Sequence, residues 1–246
     1  MKVIISFFIL GFTLFSMSND EKIEEAREYM TKDYHRAVEV TDEILADDPG
    51  NLEALWIQSL SYSNLANIEE DESLQEEYFE KADELADRAI EIDSTDADAK
   101  HAKSVALGRK AENAGARDGI RLSREIKELS DRVLELDDTH EGAWFLRGML
   151  MYRVANLSRM ERLAANTLFG GVPFETDNEE AIEAVSNAVE LDPDNIYFRV
   201  EYGRILKDNG QTNKAREILE PTLELDPVTP EDDDHLQKAR ELLDDL

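Results

Sequence analysis

His35, His101, His140 and His235 are the residues of this chain best suited to metal binding or proton transfer. Zinc sites on helices pair histidines three or four residues apart, and none of the four has such a partner. Cysteine is absent, which excludes thiolate metal sites, thiol catalysis and disulfides. Carboxylates cluster at Asp93, Asp96 and Asp98 and again at Asp232, Asp233 and Asp234. Neither run has the central glycine and closing glutamate of a calcium loop. Gly170-Gly171 is not followed by the lysine of a phosphate loop, and no Gly-x-Ser-x-Gly turn presents a nucleophile. These absences point away from an enzyme, a metal centre or a cofactor. The chemistry left to the chain is that of binding, through aromatic, thioether and aliphatic side chains at repeated positions.

Those positions are set by a repeat. Ala181, Val185, Ala188 and Pro193 stand at offsets 0, 4, 7 and 12, and Ala215, Leu219, Thr222 and Pro227 repeat them 34 residues later. Gly203 and Gly210 fall where paired helices need a close approach and a tight turn. This is the tetratricopeptide pattern. Earlier copies carry the same offsets at Ala37, Thr41, Ile44 and Pro49, and at Ile126, Ser130, Val133 and Asp138. Ala82, Ala86 and Ala89 mark the copy between them. The marker position runs 37, 82, 126, 181, 215, so only the last step has the standard length. Longer helices or connections in the earlier pairs would change curvature and deepen a groove. First helices are expected to open at Leu52, Ala97, Glu141 and Ile196, preceded by a partly degenerate pair that starts near Glu21. An acidic stretch from Glu69 to Glu77 reads as a connection, and a last helix from Pro230 to Leu246 as a cap. The fold class is all-α: a right-handed superhelix of about five helix pairs plus that cap.

In such a repeat, positions 2, 5, 9 and 12 of each first helix face the concave side. Counting gives Trp56, His101, Phe145 and Val200 at position 5, and Leu60, Val105, Met149 and Arg204 at position 9. Position 12 adds Tyr152 and Lys207, and position 2 adds Tyr197. The column is apolar for so acidic a chain. Three roles fit it. It binds an acyl chain or other apolar ligand, with Arg204 and Lys207 near one end for an anionic headgroup. It holds a partner helix or peptide. Or it packs shut as core, which is what aromatic stripes at helical spacing most often do. A clamp for a C-terminal carboxylate is disfavoured, because position 5 has no basic residue other than titratable His101. The segment from Arg159 to Thr176 reads as a structural bracket between helices or as a lid with Phe169 and Phe174 as its contacts.

The 27 basic and 57 acidic residues leave a net charge of −30. Such a surface repels nucleic acid and anionic headgroups at long range. Lys2, an apolar run from Val3 to Phe15 and the small residues Ser16 and Ser18 compose a secretory signal, with cleavage expected after Ser18. The run of 13 residues is about 20 Å long as helix, too short to cross a bilayer comfortably. The expectation is an exported chain, periplasmic or secreted, that is not a lipoprotein, with residues 1–18 as signal and 19–246 as one helical repeat domain.

From residue 141 onward the chain also resembles a known family. Gly148, Tyr152, Val154-Ala155-Asn156-Leu157-Ser158, Glu161-Arg162, Ala164 and Leu168-Phe169-Gly170 carry the likeness. Pro173, Thr176, Glu179-Glu180-Ala181 and Val228-Thr229-Pro230-Glu231-Asp232 continue it. This is similar to the tetratricopeptide-like domain of the regulator of microtubule dynamics family. The resemblance implies a helical domain with a groove, associated with microtubules and organelle contact sites, and in at least one branch with phospholipid binding. An exported relative would not meet tubulin. The function expected is therefore a non-catalytic module binding a lipid-like ligand in its groove, or alternatively a protein–protein scaffold of the cell envelope.

Overall fold

A computed structural model describes residues 18–112 and 114–246. The expected signal segment lies almost wholly outside the described residues. Ser18, the first of them, caps the first helix: its side chain accepts the Glu21 N–H, and the Glu21 carboxylate accepts the Ser18 N–H. Scission after Ser18 would remove this reciprocal cap, a device that contributes about 1 kcal/mol.

Among the described residues the helices form five pairs, a helix inserted within the fourth, and a cap. The pairs are α1 (Asn19–Lys32) with α2 (Tyr34–Asp47), α3 (Leu52–Ile68) with α4 (Glu72–Ile92), and α5 (Ala97–Glu112) with α6 (Ala116–Leu136). Then come α7 (Glu141–Ala155) with α9 (Asn178–Leu191), the inserted α8 (Arg159–Leu168), and α10 (Ile196–Asp208) with α11 (Thr212–Thr222). The last helix, α12 (Asp232–Asp244), covers α10 and α11. No strand occurs among the described residues.

Short polar side chains start these helices. Asp33, Asn51, Asp71, Asp177 and Asn195 each accept a backbone N–H from the first turn that follows. Each donor would otherwise be an orphan of the helix end. The small residues of the repeat do what their spacing requires: Ala37, Ala82, Ala86, Ala89, Ala181, Ala188 and Ala215 are fully buried where helices cross. Contacts run from α1 to α3, from α3 to α5 and from α5 to α7, and the Phe145 ring stacked on Phe198 links α7 to α10, so first helices make up one layer. The second helices flank it, each bridging to the next first helix.

The uneven marker spacing is explained by helix length. Helices α4 and α6 have 21 residues each, against 11 in α11. Much of the acidic stretch expected as a connection is helix, because Asp71 caps α4 and Leu74, Tyr78, Phe79 and Ala82 give it an inward face. The insert, too, contains a helix.

The two ends of the stack meet. The Tyr34 hydroxyl, at the start of α2, donates to the Glu231 carboxylate at 2.7 Å across 197 residues of sequence. Tyr34 is buried there. Burial and the carboxylate together push its phenol pKa well above the ordinary tyrosine range. Asp232 holds the same turn from inside by accepting the Val228 and Thr229 N–H groups, both at 2.8 Å. The stack therefore curves far enough for its first pair to touch the loop before its cap.

Candidate functional site

All eleven residues of the column lie on the layer of first helices. Trp56, Phe145 and Val200 are buried, and the other eight are half-buried. Trp56 is buried in the N-terminal core, with the Arg27 guanidinium 4.8 Å from its ring centre and Glu53 holding that guanidinium at 3.0 Å. Phe145 is also buried, its ring stacked 4.2 Å from Phe198 and tilted against Tyr197 at 5.0 Å. Leu60, Val105, Met149, Tyr152 and Tyr197 are half-buried. Tyr197 stacks 4.8 Å from His235, which brings the cap helix onto the inner layer. Met149, Tyr152 and Tyr197 pack with Phe145 as one cluster.

The two basic residues expected near one end of the column have partners already. Arg204 reaches Glu201 at 2.7 Å and Asp208 at 3.2 Å, and its guanidinium lies 5.2 Å from the Tyr152 ring. Glu201 is buried and takes a second cation, Lys238, at 3.2 Å. Burial opposes the charge of Arg204, but these acids outweigh it and raise its pKa. Lys207 pairs with Asp245 of the cap at 3.0 Å. An incoming anionic headgroup would have to compete with these carboxylates.

His101 is not a free ligand. Its ring is 4.5 Å from that of His140, and its Nδ1 is enclosed without a hydrogen-bond partner. His140 Nδ1 accepts the Ala143 N–H as the cap of α7, so the neutral ring carries its proton on Nε2, 3.5 Å from Asp98. Burial, then the neighbouring His140, push the pKa of His101 down to about 3. For His140 burial acts in the same direction, but Asp98 overrides it and the net shift is upward. The consequences for stability are opposite. His101 stays neutral in the folded chain while an unfolded histidine gains a proton below 6.5, so its contribution is lost as pH falls from there toward its folded value. His140 adds stability below 6.5 that disappears as pH rises past its raised value. The larger displacement is that of His101. In His101→Leu, the fall in unfolding free energy between about pH 7 and about pH 5 shrinks by about 1–2 kcal/mol relative to the parent. Urea titrations at the two pH values measure it, and equal falls in both proteins would contradict it.

Two hollows lie away from the column. One, about 760 Å³, runs between α4, the end of α5 and the start of α6; Glu72, Glu76, Glu80 and Asp118 face Lys110 and Arg121 there. It exists because α4 and α6 are long. The other, about 190 Å³, lies beneath the insert, walled by Ile120, Val154, Leu157, Ala165, Phe169 and Pro173. Phe169 is thus a wall of this hollow, and Phe174 packs instead against Lys127 and the core around α5 and α6. Sequence reasoning missed both hollows. The signal for the second was present: Ser158 and Glu161 have the spacing of a reciprocal helix cap.

No helix among the described residues is long and apolar enough to cross a membrane. Groups of three or more potential metal-ligating side chains are likewise absent among them.

This architecture has solved counterparts. A thermophilic TPR protein of Thermus thermophilus superposes with a TM-score of 0.65, over 92% of this chain and 99% of its own, at 15% identity. At that identity the likeness establishes the tetratricopeptide-like fold alone. Among sequences, regulator of microtubule dynamics protein 3 of Rattus norvegicus is 28% identical over 189 residues, 76% of this chain. The chain spans only 40% of that relative's length. Regulator of microtubule dynamics protein 1 of Caenorhabditis elegans is 24% identical over 230 residues, covering 93% of this chain and 98% of its own. The family described as regulator of microtubule dynamics protein 1-3 matches residues 21–246. The resemblance thus reaches some 120 residues further toward the N-terminus than residues 141–246, where its motifs were legible. With a match over nearly the whole described chain, the protein belongs to the regulator of microtubule dynamics protein 1-3 family.

Proposed function

We propose that the protein is a non-catalytic binding module whose inner layer of helices takes an apolar, lipid-like ligand. One observation carries this reading. Leu60, Val105, Met149, Tyr152 and Tyr197 remain half-buried along one layer of a chain with net charge −30, and the acids on that layer nearest them, Glu201 and Asp208, are engaged by Arg204. In this reading the layer lies on the inside of the curve that brings Tyr34 to Glu231, where apolar surface is sheltered from self-association. A ligand held there gains from burial in proportion to the apolar area removed from water. The chemistry offered is shape and apolar contact; the Tyr152 hydroxyl is already given to Asp208 at 2.9 Å.

A second reading, a protein–protein scaffold of the cell envelope, is favoured by a different observation. Arg204 and Lys207 are engaged by the chain's own carboxylates, so neither is a ready cation for an anionic headgroup. An apolar helix from a partner protein needs none. In both readings the chain is exported, with residues 1–18 as its signal. The relatives' names point to microtubules; an exported chain would be separated from tubulin.

The test is direct. Purified protein is incubated with phosphatidylethanolamine–phosphatidylglycerol vesicles, re-isolated and weighed by native mass spectrometry. The expected spectrum carries a one-phospholipid adduct, and Met149→Lys loses it while its thermal unfolding matches the parent. No adduct in the parent would refute the lipid reading and leave the scaffold.

A further inference from the structure

The hollow beneath the insert is bordered by small residues from two sides. Helix α6 brings Ala116 and Gly119 to it, and α8 brings Ala164 and Ala165. Gly119 is the most informative of them. A glycine within a helix weakens it relative to alanine, yet a Cβ built here would meet nothing within 4 Å. No neighbour requires the glycine, and the space beside it is the hollow. Helix α8 carries side chains large enough to fill that space, but Met160, Leu163 and Leu168 stay exposed, and none of them lines the hollow.

The walls are fastened before any guest arrives. Ser158 and Glu161 cap α8 reciprocally. Arg162 ties α8 to the end of α7 by donating to the Val154 and Ala155 carbonyls, both at 2.9 Å. Arg124 of α6 holds the following loop through the Pro173 carbonyl at 3.2 Å. The enclosed volume, about 190 Å³, decides the size of a guest. Apolar cavities of about 150 Å³ take up benzene, whereas drug-sized ligands need about 300 Å³ or more. One ring or a short branched chain fits; a phospholipid does not.

Three polar side chains border the hollow: Ser123, Arg153 and Glu161. Glu161 is committed to the helix cap and accepts the Ser158 N–H at 2.7 Å. That cap lowers its pKa, and Arg153 adds to the shift by its charge without pairing with it. Ser123 and Arg153 have no hydrogen bond or ion pair among the described residues. For Ser123 this departs from the habit of the chain: Ser61, Ser104 and Ser130 each donate to the carbonyl four residues earlier. Both unengaged groups can donate, and a guanidinium fits a carboxylate with two parallel bonds.

We propose that this hollow binds a compact amphipathic carboxylate: its single ring or branched chain sits between α6 and α8, and its carboxylate meets Arg153, with the Ser123 hydroxyl as a second donor. The site stands apart from the inner layer and does not depend on a ligand there.

Titration of the whole chain with phenylacetate and with 3-methylbutanoate, followed by saturation-transfer NMR and thermal unfolding, tests it. At least one of the two is expected to bind with a Kd of about 1 mM or tighter, in keeping with so few atoms, and to raise the unfolding temperature. The matched amide and the matched amine should bind about tenfold more weakly. Arg153→Gln is expected to weaken the carboxylate about tenfold and leave the amide unchanged. Gly119→Leu should lose the carboxylate while unfolding at or above the parent's temperature, so that the loss cannot be ascribed to a damaged fold. Met149→Lys should bind as the parent does. Four results would overturn the proposal: neither carboxylate binds, the amine binds as well as or better than the carboxylate, Gly119→Leu binds undiminished, or Met149→Lys loses the ligand while remaining folded.

Discussion

Gly148→Ala is expected to lower the unfolding free energy by about 2–3 kcal/mol or to prevent folding, because the added methyl has nowhere to go. A Cβ at this position would lie 2.5 Å from Val185 Cγ2, 2.9 Å from the Val185 nitrogen and 3.2 Å from the Ala181 carbonyl. Two of these atoms belong to the backbone of α9, so a rotamer change cannot relieve the overlap. Helices α7 and α9 would have to separate, and their contact is among the most extensive in the molecule. Gly203 makes a useful comparison, since the three atoms nearest its Cβ would all belong to the Leu219 side chain, the first at 2.5 Å. Leu219 can shift by changing rotamer, so Gly203→Ala should cost less. Urea unfolding of both variants gives the order, and Gly203→Ala proving the more damaging would mean that α7 and α9 are less tightly apposed than these distances imply.

Phe145→Glu is expected to destabilise the chain by more than about 3 kcal/mol, the cost of losing a buried Phe, with the desolvation of a carboxylate added. Phe145 is 8% exposed, and its neighbours Phe198 and Tyr197 offer no cation. The consequence bears on function. A loss of ligand in this variant would report unfolding rather than a lost contact, so Phe145 is a poor probe of the inner layer. Met149, half-buried at the rim of the same cluster, is the informative position. Loss of helicity on heating well below the parent's midpoint is the expected result for Phe145→Glu. A variant that melts with the parent would show that the ring pair contributes little, and would return Phe145 to the candidate ligand contacts.

Much of this protein is written locally. The offsets of Ala37, Ala181 and Ala215 and the caps at Asp33, Asn51, Asp177 and Asn195 are readable because a helix couples residues three and four apart. So are the five pairs and the capping helix. The start of α4 at Glu72 and the whole of α8 were equally local, marked by Asp71 and by Ser158 with Glu161. They were obscured because dense charge and a glycine pair look like a loop.

Other features have no local signature. That Trp56 and Phe145 are buried while Leu60 and Met149 are half-buried depends on how tightly successive pairs curve. Curvature accumulates from small rotations at every helix crossing. The partners of Arg204 at Glu201 and Asp208 lie one helical turn away, but Lys207 meets Asp245 only because α12 folds back on α10. The contact of Tyr34 with Glu231 spans 197 residues and exists only when every intervening crossing angle is right. The direction of α8 is decided in the same way: its sequence makes it amphipathic, and Arg162 finding the end of α7 turns the apolar side outward. Sequence determined the elements and their order, since those follow from near-neighbour geometry. Tertiary structure decided which faces remain available, because availability is set by the sum of packing angles along the whole stack.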